Sequence, residues 1–392
     1  MKYNFDEVID RRNTGSSKWD NVGARVGNAA ALPMWVADSD FRCPRPVIDA
    51  IIQRAEHGIY GYPFRDGKFA EVTKEWLYKR HGWNIETNWV TFSPGVVPSL
   101  NTIVQAFTLP GDEVIVQRPV YYPFFHAITD NGRTISSNTL LLKDGHYEID
   151  FEDLEQRAKS QKAKLMILCN PHNPVGRVYT QEELRKIGTI CLENGVLLAA
   201  DEIHSDIVYQ GYRHTPMASL GADIANITIT AIAPSKTFNT AGLRASAIIV
   251  SNKELLKTLE AQFGKNRTSI LSVFGLTAYV AAYTQCKDYL EQMIPYLWNN
   301  IEYLNAFLVE KMPKIKLVKP EGTYLLWLDC RELGITKEEL DDFFIHKALV
   351  AVDRGYWFGD EGEGFMRINI ACPLSIVKQA LEQLHAKYLD LD

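Results

Sequence analysis

Short apolar runs recur along the middle of the chain. They are EVIVQRPVY (113–121), KLMILCN (164–170), VLLAADEIH (196–204), NITITAIA (226–233) and ASAIIV (245–250). Most lack the polar alternation of a half-exposed strand, which is the pattern of strands covered on both faces. Helical patterns fall between several of them. One, TQEELRKIGTICLENG, opens on a capping box from Thr180 to Glu183 and stops at Gly195. Strands alternating with helices predict a largely parallel α/β sheet. Such sheets bind ligands beyond the carboxyl ends of their strands.

After about residue 252 the pattern changes. Long helical stretches run to roughly 312. KLVKPEGTYLLWLDC then reads as a strand pair, Thr336 caps a helix, FMRINIAC reads as a strand, and an amphipathic helix closes the chain from about 375. This predicts a large α/β domain over 46–286. The N-terminal segment 1–45 and residues 287–392 form the remainder, a smaller α+β unit. The first 45 residues fit neither helix nor sheet. Their Trp19, Trp35 and LPMWVADSDF predict a segment packed against the body.

Bulk properties narrow the function classes. A chain of 392 residues with 46% hydrophobic and 23% charged residues can bury a substantial core. A net charge of −6 leaves no basic footprint for nucleic acid. No apolar run approaches the roughly 18 residues of a membrane span, and the N-terminus has no apolar core of signal-peptide length. The expected location is therefore the cytoplasm, away from membranes. The six cysteines are scattered with no CxxC, so reduced core cysteines are expected and no metal site. The sequons at Asn226 and Asn266 carry no weight without a secretory route.

Chemistry collects just past the apolar runs. LCNPHNPVGR, DEIHSD and APSKTFN each follow a strand, so Asn173, Asp201 and Lys236 should converge. An amide donor, a carboxylate and an amine in one cleft suit a carbonyl cofactor held as a Schiff base. FSPGVVPSLNTIVQAF reads as a turn entering a helix at about Gly95, whose N-terminus favours an anion. Arg367 lies inside an apolar strand, where a charge is costly unless paired. Its guanidinium suits bidentate carboxylate binding, with a structural salt bridge as the alternative.

NPHNPVG, DEIH and SKTF, in this order, resemble the fold-type I pyridoxal-phosphate enzymes, the aspartate aminotransferase superfamily. Matching motifs run from about residue 35 to residue 372. The resemblance implies a mostly parallel, seven-stranded-type sheet covered by helices, plus a smaller α+β domain. It implies pyridoxal 5'-phosphate as cofactor, with Lys236 forming the Schiff base and then serving as base for the substrate α-proton. Asp201 would pair with the pyridine nitrogen and Asn173 would donate to the ring oxygen. The amides of Gly95 and Val96, with Ser235 and Arg244, would hold the phosphate. Ala233 stands where relatives often carry a further hydroxyl. Tyr121 would stack on the ring. Tyr62, with Tyr60 as its rival, would reach the phosphate of a neighbouring subunit, implying a homodimer with shared active sites. Arg367 would bind the α-carboxylate of an amino acid substrate, beside Asn173 and the backbone at Ala37.

LPMWVADSDF, HGIYGYPF, DEIHSDIV, SKTFN, GTYLLWLD and EGEGFMRINIACP resemble the bacterial cystathionine β-lyase subgroup in particular. His204 lies in the cofactor site where aspartate-type aminotransferases carry a tyrosine. Ser39 departs from the subgroup, many of whose members have Met there. The subgroup implies β-elimination from L-cystathionine or other cysteine S-conjugates, giving a thiol, pyruvate and ammonia. Two other readings stay open: an aminotransferase using a 2-keto acid acceptor, and a cofactor-binding regulatory or scaffold protein.

Overall fold

All five apolar runs become strands of one sheet in a computed structural model of the chain, which describes residues 1–64, 67–268, 270 and 272–390. The strands are β1 Val90–Ser93, β2 Glu113–Arg118, β3 Thr134–Thr139, β4 Ala163–Cys169, β5 Leu197–Asp201, β6 Thr228–Ile232 and β7 Ser246–Ile249. They lie side by side in the order β1-β7-β6-β5-β4-β2-β3. Pairing is parallel from β3 through β2, β4 and β5 to β6. β7 alone runs antiparallel to both its neighbours. The connection from β6 to β7 carries Lys236 and only a short 3₁₀ turn, Ala241–Leu243, so the chain returns directly beside β6 without a crossover helix.

β1 and β3 were not among the apolar runs. β3, TISSNT, is an edge strand that alternates exposed or half-buried positions with buried ones, which explains its polar sequence. The central strands β6 and β7 are buried throughout, as their uninterrupted apolar sequences require. The helix Gln181–Glu193 makes both halves of its capping box, Thr180 with Glu183.

Beyond the sheet come helices Lys253–Asn266, Val273–Gln285 and Lys287–Lys311. A four-stranded antiparallel sheet follows, in the order Lys316–Leu317, Leu325–Asp329, Phe365–Asn369, Asp353–Arg354. The helix Leu374–Tyr388 ends the architecture. The N-terminal segment packs against the body, with Trp35 buried, but contrary to the expectation from its sequence it holds a short helix, Val22–Val26, and a two-residue strand, Leu32–Pro33, that pairs with Val350–Ala351.

A buried ionic knot fixes the N-terminal segment near the site. Lys18 is wholly buried, and its Nζ donates to Asp40 Oδ2 at 2.6 Å. Trp19 Nε1 donates to Asp40 Oδ1 at 2.9 Å, and Arg11 bridges Asp38 and Asp40. A buried ammonium needs such partners. The loop 36–41 is held from the other side by Asn239, which donates to Ser39 O and Phe41 O at 2.9 and 3.0 Å.

Candidate active site

A cavity of about 400 Å³ opens where β4, β5 and β6 end. Its size is that of a small-molecule site. Asn173, Asp201 and Lys236 all line it, so the three strand-end residues do converge. Gly95, Val96, Tyr121, His204, Ser235, Arg244 and Ala37 complete most of the wall.

Lys236 Nζ donates to Ala37 O at 2.7 Å, and the Tyr324 hydroxyl donates to the same oxygen at 3.1 Å. Burial pulls the amine down from its ordinary value to about 8, against the opposing charges of Asp38 and Asp201. Asp201 ends β5. Its Oδ1 accepts the Ile203 amide at 3.1 Å, and among the described residues it makes no ion pair. Burial raises its carboxyl to about 7. A buried carboxylate in this state lacks a cationic partner. His204 is buried, its Nδ1 has no partner among the described residues, and burial holds its ring neutral.

The helix Val96–Phe107 starts at the cavity with no side-chain cap, so its first amides are available to an anion. Arg244 stands opposite in left-handed backbone, φ 55°. A non-glycine residue pays strain for that conformation. The turn is backed closely by Gly275: a methyl there would lie 2.4 Å from Leu243 O.

Asn173 Oδ1 accepts from Arg367 Nη1 at 3.0 Å, which leaves its Nδ2 free to donate to a ligand. Arg367 is 2% exposed and sits beside the cavity rather than in the lining. Its Nη2 donates to Trp35 O at 2.8 Å and to Asp353 Oδ2, while Nε has no partner among the described residues. The guanidinium is therefore in a buried salt bridge and still keeps an open donor.

Tyr62, expected at the phosphate of a neighbouring subunit, lies on the surface of its own chain. It is 97% exposed and does not line the cavity of this chain. Tyr60 is tied within its own chain, its hydroxyl donating to Ala55 O at 2.6 Å and its ring against Phe274. Tyr324 and Asp353 escaped the sequence reading. Tyr324 lies within the GTYLLWLD run, where an aromatic reads as core. Asp353 lies on a two-residue strand with no periodicity to announce it.

The residues fit pyridoxal 5'-phosphate. A buried lone carboxylate suits a protonated ring nitrogen, the uncapped helix start suits a phosphate, and a buried, easily deprotonated amine suits an aldehyde. The Asp201 environment also predicts a pH effect. In an unfolded chain Asp titrates near 3.9, so between about 4 and 7 the native state keeps a proton that the unfolded state has lost. Stability falls as pH rises through that window. Cofactor-free protein is expected to lose about 2 kcal/mol relative to Asp201→Asn between pH 5 and pH 7. Urea denaturation of both proteins at the two pH values measures this; parallel curves would contradict it.

Comparison with known proteins agrees with this geometry. The family model for aminotransferase class I and II matches residues 36–384. Cystathionine beta-lyase PatB of Bacillus subtilis is 46% identical over 383 residues, covering 98% of this chain and 99% of the relative. The solved structure of cystalysin from Treponema denticola, which contains a pyridoxal 5'-phosphate cofactor, superposes with a TM-score of 0.96 at 40% identity, covering all of both chains. The PLP-bound C-S lyase from Staphylococcus hominis gives a TM-score of 0.93 at 35% identity, with 99% of each chain covered. With nine-tenths of its length matched by the family model and close relatives along its whole length, the chain belongs to the aminotransferase class I and II family.

Proposed function

We propose that the protein is a pyridoxal-phosphate-dependent carbon–sulfur lyase. It eliminates the sulfur substituent from L-cystathionine or other cysteine S-conjugates, giving a thiol (homocysteine from cystathionine), pyruvate and ammonia. The observation that carries this is a single cavity lined by Lys236, Asp201 and Asn173, with Arg367 bonded to Asn173 at its edge. The near-full-length similarity to proteins named as lyases favours elimination over transamination.

Pyridoxal 5'-phosphate supplies the electron sink that makes the substrate α-proton removable. Asp201 holds the ring-nitrogen proton, and Asn173 Nδ2 and His204 serve the ring oxygen. Gly95 and Val96 amides, Ser235 and Arg244 hold the phosphate, and Tyr121 stacks on the ring. Arg367 binds the α-carboxylate with Asn173, beside the backbone at Ala37. Lys236 first anchors the cofactor and then takes the α-proton on Nζ. The Cβ–S bond breaks with its electron pair leaving on sulfur, and Lys236 can return the proton there. Thiols titrate near 8.5, so the leaving group needs little help. The three-carbon remainder takes up water to become pyruvate and ammonia.

The working form is a cytoplasmic homodimer. The exposed Ile59, Tyr60, Tyr62 and Phe64 support a subunit contact, through which Tyr62 reaches a neighbour's phosphate. All six cysteines are free, in keeping with a reducing compartment. Residues 46–286 form the cofactor-binding domain, and 1–45 with 287–392 form the smaller one. The test is to supply L-cystathionine with and without a 2-keto acid. Thiol release that ignores the keto acid is expected; a strict requirement for it would make the protein an aminotransferase.

A further inference from the structure

Arg25 is an exposed residue of the short helix Val22–Val26. Its guanidinium carbon lies 4.2 Å from the ring centroid of Trp357, 5.7 Å from that of Tyr122 and 5.9 Å from that of Trp35. Each ring leads to the site by a separate route. Trp35 O accepts from Arg367 Nη2. Trp357 precedes Phe358, whose ring centroid lies 4.9 Å from the Arg367 guanidinium carbon. Tyr122 follows Tyr121 of the cavity wall. Together they place Arg25 on the Arg367 side of the site, although none of the three rings is part of the cavity lining.

Arg25 also differs from its cationic neighbours in being unpaired. Arg354 bridges Asp341 at 2.7 Å and Arg367 bridges Asp353, whereas Arg25 has no carboxylate partner among the described residues. Its polar contact is a long bond from Nη2 to the Tyr122 hydroxyl, at 3.4 Å. A guanidinium lying on aromatic rings keeps its N–H edge available and its plane fixed. Asp353 neutralises Arg367 from within, so a second cation is tolerated nearby.

We propose that Arg25 binds a carboxylate on the far end of the substrate's sulfur substituent, so that the enzyme selects cysteine S-conjugates with an anionic tail. The proposal rests on the lyase reading. In it the α-carboxylate sits on Arg367, and the substituent beyond sulfur extends toward Arg25. Cystathionine, with a second carboxylate at its far end, belongs to this class.

The test compares pyruvate formation from S-(2-carboxyethyl)-L-cysteine and from the neutral S-propyl-L-cysteine, using wild type, Arg25→Gln and Arg25→Lys. Arg25→Gln should lower kcat/KM about tenfold on the anionic conjugate, the scale of one charge-assisted hydrogen bond, and leave the neutral one essentially unchanged. Arg25→Lys should recover part of the loss. In wild type, the preference for the anionic conjugate should shrink as salt is raised. An equal loss on both conjugates would mean that Arg25 merely packs, and no loss, or a salt-independent preference, would also overturn the assignment. If pyruvate forms but the two conjugates do not diverge, only the Arg25 assignment falls. If wild type forms pyruvate from neither, the lyase reading falls and takes this proposal with it.

Discussion

Lys236→Ala is expected to lower pyruvate formation by about 10³-fold or more, and to leave the cofactor without a covalent hold. Two roles meet in this amine. It must attack an aldehyde and later accept a proton, and both require the uncharged form. Burial has already brought Nζ down to about 8, so an appreciable neutral fraction exists near neutral pH. In the wild type, borohydride reduction should fix the cofactor's mass on the Lys236 peptide; in the variant that mass should be absent. Stability should not suffer, because the substitution removes a buried amine whose hydrogen bond goes to the neutral Ala37 carbonyl. An ordinary turn lysine predicts the opposite pattern, with full turnover and no label. Added methylamine should restore some activity to Lys236→Ala, since the cavity wall would otherwise be intact.

Arg367→Met should lower kcat/KM by at least about 100-fold and also destabilise the fold by about 3–5 kcal/mol. The second effect follows from Asp353. Its carboxylate is fully buried, one of its oxygens is already unpartnered, and Arg367 lies directly across the ladder from it. Removing the guanidinium takes away its bonded cation and leaves only the weaker attraction of Arg25 and Arg354. The two effects can be separated. The double variant Arg367→Met with Asp353→Leu should recover most of the stability, because buried pairs are replaceable by well-packed apolar residues. Activity should stay low, because the carboxylate-binding fork is still missing. Arg367→Lys should keep the charge and lose most of the activity, since an ammonium cannot reproduce the planar fork. Recovery of both stability and activity in the double variant would mean that Arg367 is structural only. Chemical denaturation and steady-state kinetics on the same samples decide between these outcomes.

The legible parts of this molecule were those where one local pattern fixes one outcome. A strand buried on both faces must be apolar throughout, so β2, β4, β5, β6 and β7 announced themselves. Polar residues directly after such runs sit at the strand ends, and this alone brought Asn173, Asp201 and Lys236 to one place. β3 was illegible because an edge strand tolerates Ser, Asn and Thr on its exposed positions. β1, VTFS, is buried throughout yet mixes Thr and Ser with its apolar residues, so it shows no continuous apolar run. The reversal of β7 follows from the Lys236 connection returning beside β6 without a crossover helix, a property of the connection and not of either strand's own pattern. Asp353 and Trp35 O contribute through contacts across more than one element, and a backbone carbonyl leaves no mark in sequence at all. Tyr62 marks a further boundary: its position in one chain, exposed and away from the cavity, carries no contact that assigns its role.

Counting turnovers in the absence of any keto acid tests elimination at this cavity directly. A transaminating enzyme given only an amino acid stops after one equivalent per site, with its cofactor left in the amine form. L-cystathionine alone should sustain many turnovers, with pyruvate and thiol rising together in equal amounts. A burst of one equivalent per site that then stops, with no free pyruvate, would contradict it.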